Sequence, residues 1–303
     1  MRPERSGRAV AELSVIIVNR NGGDRLEECL ASVEKDGAGK DWEVLVVDNA
    51  STDGSPNIVA RRFPSVKFVR NSENLGFAKA NNQGLGLSRG EFVLFLNPDA
   101  VANPGSLSLL LEELRRDPGL GAVGPALFFD ENAYQVSFGG KVTFFREMAR
   151  KSVLNAWRKG RLRRLRRRRP VAWVSGACLM AGRRILQSIG GFDEKFFLYF
   201  EDIDLCYRIR TQGLRVIFLP EAQVFHAGGA STAGVPYFSR LEYRKSQLYF
   251  YEKHNSASSQ RLLKSYLRLS ARLGGLFGSK KEEAKAFRRD LLGLLKARRT
   301  GER

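Results

Sequence analysis

The chain of 303 residues is poor in the residues that carry redox and metal chemistry, with three cysteines and two histidines, and it has no long hydrophobic run. Cys29, Cys178 and Cys206 offer no pairing arithmetic and no metal-ligand spacing, which argues against a disulfide scaffold and suits a reducing compartment. No stretch approaches the roughly 18–20 apolar residues that span a bilayer. The opening stretch, MRPERSGRAVAELSVIIVNRN, has an apolar run far too short for a secretion signal. Neither a GxGxxG after the first apolar segment nor a GxxxxGK[ST] occurs, so a dinucleotide crevice or a P-loop is not expected. These absences predict a cytoplasmic protein, or one held peripherally on the cytoplasmic face of the inner membrane.

What the sequence does have is positive charge, +19 in all, and its distribution matters more than its size. Residues 146–169 hold 12 Lys and Arg against the single acid Glu147, and residues 261–303 hold 13 against four. The remainder is close to neutral and, with a hydrophobic fraction of 43%, reads as an ordinary enzyme body with a sizeable core. The expected division is a domain over 1–240, interrupted by a basic insertion at about 144–170, and a basic helical segment over 241–303.

Apolar runs and helical patterns alternate through the first hundred residues. LSVIIV (13–18), WEVLVV (42–47), VKFV (66–69) and FVLFL (92–96) read as strands. The segments between them carry helical spacing, as with Leu26, Leu30 and Val33 in a helix capped by Asp24. Such alternation predicts an α/β fold with a mainly parallel, doubly wound sheet. Further on, VAWVSGACLMAGR (171–183) reads as strand, small-residue turn and strand, and GGFDEKFFLYFEDIDLCYRIRTQG (190–213) as a loop entering a helix that stops at Gly213.

The polar ends of the strands carry the functional signal. EFVLFLNPDA (91–100) runs straight from a buried strand into Asn97, Pro98 and Asp99; Pro98 cannot donate to a ladder and ends the strand. Asn19 and Asp48 end the first two strands, and the carboxyl edge of an open α/β sheet is where ligands bind. Each of these residues can also be read as a helix cap or turn former.

SVIIVNRN, VVDNASTDGS, NxENLGFAKANNxG, FLNPDA, VSGA, GGFDExFFLYFEDIDLCYR and VFHAGGAS occur in this order between about 13 and 232. Together they resemble the GT-A fold family 2 glycosyltransferases, especially the rhamnosyltransferase-like branch. The resemblance implies a nucleotide diphosphate sugar donor, held by Asn19, Asp48, Asn74, Gly76, Asn82 and Asn97. It implies a divalent cation, Mg²⁺ or Mn²⁺, at Asp99 and His226, with Asn97 replacing the first acid of the family's DxD motif. One carboxylate suffices for Mg²⁺, which keeps several waters, whereas an imidazole favours Mn²⁺. Asp202 matches the general base and Glu201 its neighbour; Asp204, four residues before Arg208, reads instead as an ion-pair partner. Trp173, Ser175 and Gly176 match the acceptor side. The implied reaction is an inverting transfer, with rhamnose from a dTDP donor favoured, onto a glycan or polyprenyl-diphosphate-linked acceptor.

The basic segments intersperse cations with leucines; Leu262, Tyr266, Leu269 and Leu273 fall on one helical side. Such helices lie on anionic membrane surfaces. A packed helical appendage is the alternative, and no nucleic-acid motif supports a third reading. Two rival functions are a nucleotidyltransferase and an inactive sugar-nucleotide-binding protein that docks on membranes.

Overall fold

The computed structural model describes residues 11–130, 133–149, 167–228, 236–277 and 282–300. The chain forms two compact units. The first comprises Met1–Gly140, Leu162–Glu194 and Asp202–Ser231; the second comprises Lys141–Arg161, Lys195–Glu201 and Thr232–Arg303. Most of the expected basic insertion, residues 150–166, lies outside the described residues.

The first unit is built on the strands β1 (Leu13–Asn19), β2 (Trp42–Asn49), β3 (Lys67–Asn71) and β4 (Phe92–Leu96). The helices α1 (Gly23–Gly37), α2 (Ser55–Arg62) and α3 (Phe77–Leu87) connect them. The chain continues through β5 (Ala100–Ala102), α4 (Ser106–Arg116), β6 (Leu120–Asp130), β7 (Ala133–Gln135) and β8 (Phe138–Gly139). It resumes with β9 (Arg169–Val171), β10 (Trp173–Val174), β11 (Cys178–Gly182), α5 (Arg183–Ser188), α6 (Glu201–Thr211) and β12 (Arg215–His226). The main sheet runs β3, β2, β1, β4, β11, β6, β12, β5, with β7 added to β6 and β9 to β12.

Pairing is parallel among the first four strands and between β6 and β12. β11 enters antiparallel between β4 and β6. The apolar runs form strands because both faces are covered: Leu13, Val15 and Ile17 pack with Leu94, Leu96 and the α1 residues Leu26 and Leu30 in one buried cluster. Each such side chain contributes about 1.5–3 kcal/mol when fully buried. Pro125 lies inside β6, an unusual place for a residue with no N–H to donate. Its position is tolerated because pairing with β11 stops at Val123, and the ladder to β12 shifts register after Leu219.

One helix start differs from the sequence reading. Gly22, not Asp24, caps α1, and no side chain closes the helix end; Asp24 instead sits in the first turn, where a carboxylate complements the helix dipole. The Asp204–Arg208 ion pair forms as expected, at 2.7 Å with Asp204 fully buried, and Gly213 follows α6 with φ +79°.

The second unit contains α7 (Pro236–His254), α8 (Ala257–Phe277) and α9 (Glu282–Thr300), together with a short helical stretch at 144–149. Leu263, Leu267, Ala271, Phe287, Leu291 and Leu295 bury one face of α8 and α9. Glu147, the acid among the basic residues, accepts from Gln247 Nε2 at 2.9 Å and from the Tyr251 hydroxyl on α7. Among the described residues no helix is long and apolar enough to cross a membrane.

Candidate active site

The parallel register sets Asn19 beside Asp48, and Asn49 beside Asn71, at the carboxyl ends of β1, β2 and β3. Asn19 Nδ2 donates to Asp48 Oδ1 at 2.8 Å and to Ser51 Oγ at 3.1 Å. Asp48 also accepts from the Ser51 backbone N–H at 3.0 Å and the Ser51 hydroxyl at 2.5 Å. Both residues are 0% exposed. Their side chains brace the loop that follows β2, and Asn19 Oδ1 is buried without a hydrogen-bond partner among the described residues. An acceptor-only carboxylate suits that task, because it gathers three donors into one turn.

Asn74, Gly76 and Asn82 divide in the same way. Asn74 Oδ1 accepts from the Gly76 N–H at 3.1 Å, and Gly76, at φ +81°, starts α3 in a conformation that side chains disfavour. The Gly76 carbonyl accepts from Asn49 Nδ2 at 3.1 Å. Asn82 is committed elsewhere: its Nδ2 donates to the Phe192 carbonyl at 2.9 Å and to Glu194, while its Oδ1 accepts from the Phe192 N–H at 2.8 Å. With donor and acceptor both in use, Asn82 holds the GGFDE loop. Phe192 in turn stacks edge-on against Phe95 and Phe77, with ring centroids 4.7 and 5.9 Å away.

The NPD segment and the end of β12 form a compact polar group. Pairing of β5 with β12 sets His226 opposite Ala100, and the Ala227 N–H donates to the Asp99 carbonyl at 3.1 Å. His226 Nε2 lies 3.2 Å from Asp99 Oδ1 and 3.0 Å from Asn97 Nδ2. The other ring nitrogen, Nδ1, lies 2.8 Å from Gln135 Oε1. An amide oxygen only accepts, so Nδ1 carries a proton toward Gln135, and Nε2 faces Asn97 Nδ2 and Asp99 Oδ1. Asp99 and His226 are 8% and 7% exposed. A carboxylate oxygen and an imidazole nitrogen this close make a donor pair that fits a divalent cation. Among the described residues no group of three or more His, Cys, Asp or Glu side chains could hold a metal. Asp99 and His226 are thus the two side chains of these types that the described residues bring together here.

Gln135 was invisible in the sequence. It sits on a three-residue strand in a polar stretch, and only the register of β7 on β6 brings it to His226. Partners of this kind fix the tautomer of a ligating histidine, and their loss costs about 10–100-fold in metal affinity. Gln135→Leu is expected to weaken Mn²⁺ binding by that factor, measured by titration of the protein with the metal, whereas Gln135→Glu, which still accepts from Nδ1, retains it.

Asp202 is tied to the same rim. The Asn97 N–H donates to the Ala177 carbonyl at 2.9 Å, and one residue earlier the Gly176 N–H donates to Asp202 Oδ2 at 2.8 Å. A Cβ on Gly176 would lie 3.1 Å from Asp202 Cβ, so the small residue permits the approach. Asp202 Oδ1 accepts from the Ile203 N–H at 2.8 Å at the start of α6. Burial raises the Asp202 pKa above its ordinary value of 3.8, and the backbone donors Gly176 and Ile203 offset only part of that rise. Asp202 keeps some exposure, whereas Glu201, the first residue of α6, is 6% exposed. Of the two adjacent acids, Asp202 is the less buried.

On the acceptor side, Ser175 is partly exposed and Gly176 is spent on Asp202. Trp173 is 6% exposed, and its ring packs where a Cβ on Gly139 would come within 2.5 Å. The ring thus packs against Gly139. The three cysteines are buried and free, and burial pushes each thiol up, Cys206 to about 12, which excludes thiolate chemistry.

The profile of glycosyl transferase family 2 matches residues 14–190. The N-acetylglucosaminyl-diphospho-decaprenol L-rhamnosyltransferase of Mycobacterium tuberculosis is 32% identical over 264 residues, covering 80% of this chain and 85% of that protein. Two solved structures share the fold. GalNAc-T7 with UDP, GalNAc and Mn²⁺ superposes with a TM-score of 0.61 at 17% identity, over 94% of this chain and 55% of that one. The mannosyltransferase PcManGT from Pyrobaculum calidifontis, with GDP-Man and Mn²⁺, gives 0.55 at 20% identity, over 99% and 89%. The chain belongs to glycosyl transferase family 2, in its rhamnosyltransferase-like branch, and is a hexosyltransferase with a GT-A fold.

Proposed function

We propose that this enzyme moves rhamnose from a dTDP donor, with inversion, onto a hydroxyl of a polyprenyl-diphosphate-linked glycan. The observation that carries the reading is the joining of Asp202 to the Asn97–Asp99–His226 group through Gly176 and Ala177. The mycobacterial relative, which matches over most of both chains, is named for the transfer of L-rhamnose to an N-acetylglucosaminyl-diphospho-decaprenol. Asp99 and His226 would hold a divalent cation, Mg²⁺ or Mn²⁺, which when bound supplies charge neutralisation for the departing diphosphate. Asp202, made more basic than an exposed aspartate by its burial, takes the proton of the acceptor hydroxyl. The acceptor oxygen then bonds to the anomeric carbon on the face opposite the breaking carbon–oxygen bond, and the nucleoside diphosphate leaves with the electron pair. Gly76, Asn74 and the loop braced by Asp48 and Asn19 form the rim against which the nucleotide lies, with Asn97 beside its phosphates and Ser175 toward the acceptor.

Incubating the enzyme with Mn²⁺, a short-chain prenyl-diphosphate-GlcNAc and a panel of nucleotide sugars tests the reading. Transfer from dTDP-rhamnose, with a product of inverted anomeric configuration by NMR, is expected; retention, or transfer only from other donors, contradicts it.

The enzyme is further proposed to dock on anionic membrane, where such an acceptor resides. Leu262, Leu269 and Leu273, between 41% and 57% exposed, form a stripe on α8 opposite its buried face, next to Arg261, Arg268 and Arg272. Each cation near the surface adds about 1 kcal/mol of attraction. The protein is expected to co-sediment with phosphatidylglycerol vesicles at low salt and to release as salt rises. Leu269→Glu is expected to weaken the binding, and failure of the wild type to pellet would remove this part of the reading.

A further inference from the structure

The second unit contains a cavity of about 290 Å³ lined by Tyr199, Ser239, Arg240, Tyr243, Arg244 and Phe287. We propose that this cavity binds the diphosphate of the lipid-linked acceptor, an inference that rests on the function proposed above and gives it a subsite. The volume lies at the small end of the ~300–1,000 Å³ typical of ligand pockets. It suits a diphosphate and the first carbons of its lipid, not a whole glycolipid.

The lining chemistry favours a phosphate ester. Arg240 and Arg244 make no ion pair with a carboxylate among the described residues. Arg240 lies 4.3 Å from the centroid of the Phe287 ring, and Arg244 donates to the neutral Gln247 Oε1 at 2.6 Å and lies over Tyr243. Lysines of the same unit behave differently: Lys245 pairs with Glu242, Lys264 with Glu252 and Lys285 with Glu282. Asp290, on α9 one turn after Phe287, already accepts from the Tyr237 hydroxyl and pairs with Arg289. The guanidinium fork matches phosphate oxygens bidentately, so two arginines with no carboxylate partner among the described residues form an anion site on one wall. The Ser239 hydroxyl is buried with no hydrogen-bond partner among the described residues, and it supplies a further donor at the cavity wall.

The backbone beneath Tyr199 adds an independent sign. Tyr199 and Phe200 are consecutive aromatic residues at φ +70° and +68°, a region bulky side chains avoid. The strain is sustained by ring contacts: Tyr199 to Tyr243 at 5.6 Å, and Phe200 to Tyr243 and Phe250 at 5.3 Å each. Strain of this kind concentrates at ligand clamps and active sites.

Calorimetric titration of the full chain with farnesyl diphosphate and with inorganic pyrophosphate, both without divalent cation, tests the subsite. Farnesyl diphosphate is expected to bind the wild type more tightly than pyrophosphate. Arg240→Ala with Arg244→Ala is expected to weaken it roughly 10–100-fold, the loss of one or two charged hydrogen bonds. The pair Arg240→Lys and Arg244→Lys, which keeps the charge and the fold, falls between. Stabilisation by dTDP with Mn²⁺ is expected to be the same in all three proteins. Equal binding by wild type and the alanine pair, or no binding at all, overturns the subsite; equal affinity for pyrophosphate overturns its assignment to a lipid. Arginine-dependent binding in an enzyme that transfers no rhamnose leaves the subsite standing and removes the proposed donor and acceptor instead.

Discussion

Asp202→Asn is expected to leave donor binding intact and to lower transfer by about 10²–10⁴-fold, the contribution of a positioned acid–base group. The geometry explains why the loss falls on turnover. The carboxylate takes backbone hydrogen bonds from Gly176 and Ile203 that an amide oxygen can in part retain, so the local fold persists while the proton acceptor is gone. The wild-type pH profile carries the same signature. Because the folded pKa is raised, the base is half protonated at a pH above 3.8, and activity falls as pH drops through that raised value.

Stability runs the opposite way. Between 3.8 and the raised value the folded state binds more protons than the unfolded state, so the stability associated with Asp202 is full below 3.8 and is lost as pH rises through the folded pKa. Asn carries no charge to bury. The variant should therefore melt higher than the wild type near neutral pH, with the difference shrinking as pH falls through the window. A lower melting temperature at neutral pH, with transfer unchanged, would show that Asp202 is structural.

The second large effect is expected at the cation pair. Asp99→Ala and His226→Ala should each reduce turnover by about 10²–10³-fold, the scale seen when one stabiliser of developing charge is removed. The double variant should be little worse than either single one, because residues that act as a unit are not additive. His226→Asp replaces a nitrogen ligand with an oxygen one and should shift metal preference from Mn²⁺ toward Mg²⁺. Turnover against metal concentration, for both ions, distinguishes this from simple misfolding, since a misfolded protein has no altered preference.

The sheet was legible in the sequence because its signals are local. Four apolar runs bounded by turn residues gave β1 to β4, and Pro98 fixed the end of β4 at the polar rim. The same logic brought Asn97, Asp99 and His226 to strand ends, and the order of the motifs linked them to Asp202. What the sequence withheld depends on register and packing. That Asn19 spends its amide on Asp48 follows from parallel pairing of neighbouring strands, and that Asn82 is committed to Phe192 follows from contact across 110 positions. Local patterns carry neither. Gln135 has no signal outside the β6–β7 pairing, and the burial of Trp173 depends on Gly139 of β8. Tyr199 and Phe200 adopt a conformation that their own side chains disfavour, so propensity points away from the corner they form.

Mn²⁺ bound with a nucleoside diphosphate, located by anomalous diffraction, tests the central claim most directly. A single peak within coordination distance of both Asp99 Oδ1 and His226 Nε2, with diphosphate oxygens completing the shell, is the predicted result. A peak at any other group, or no peak at a Mn²⁺ concentration that saturates activity, would contradict the account.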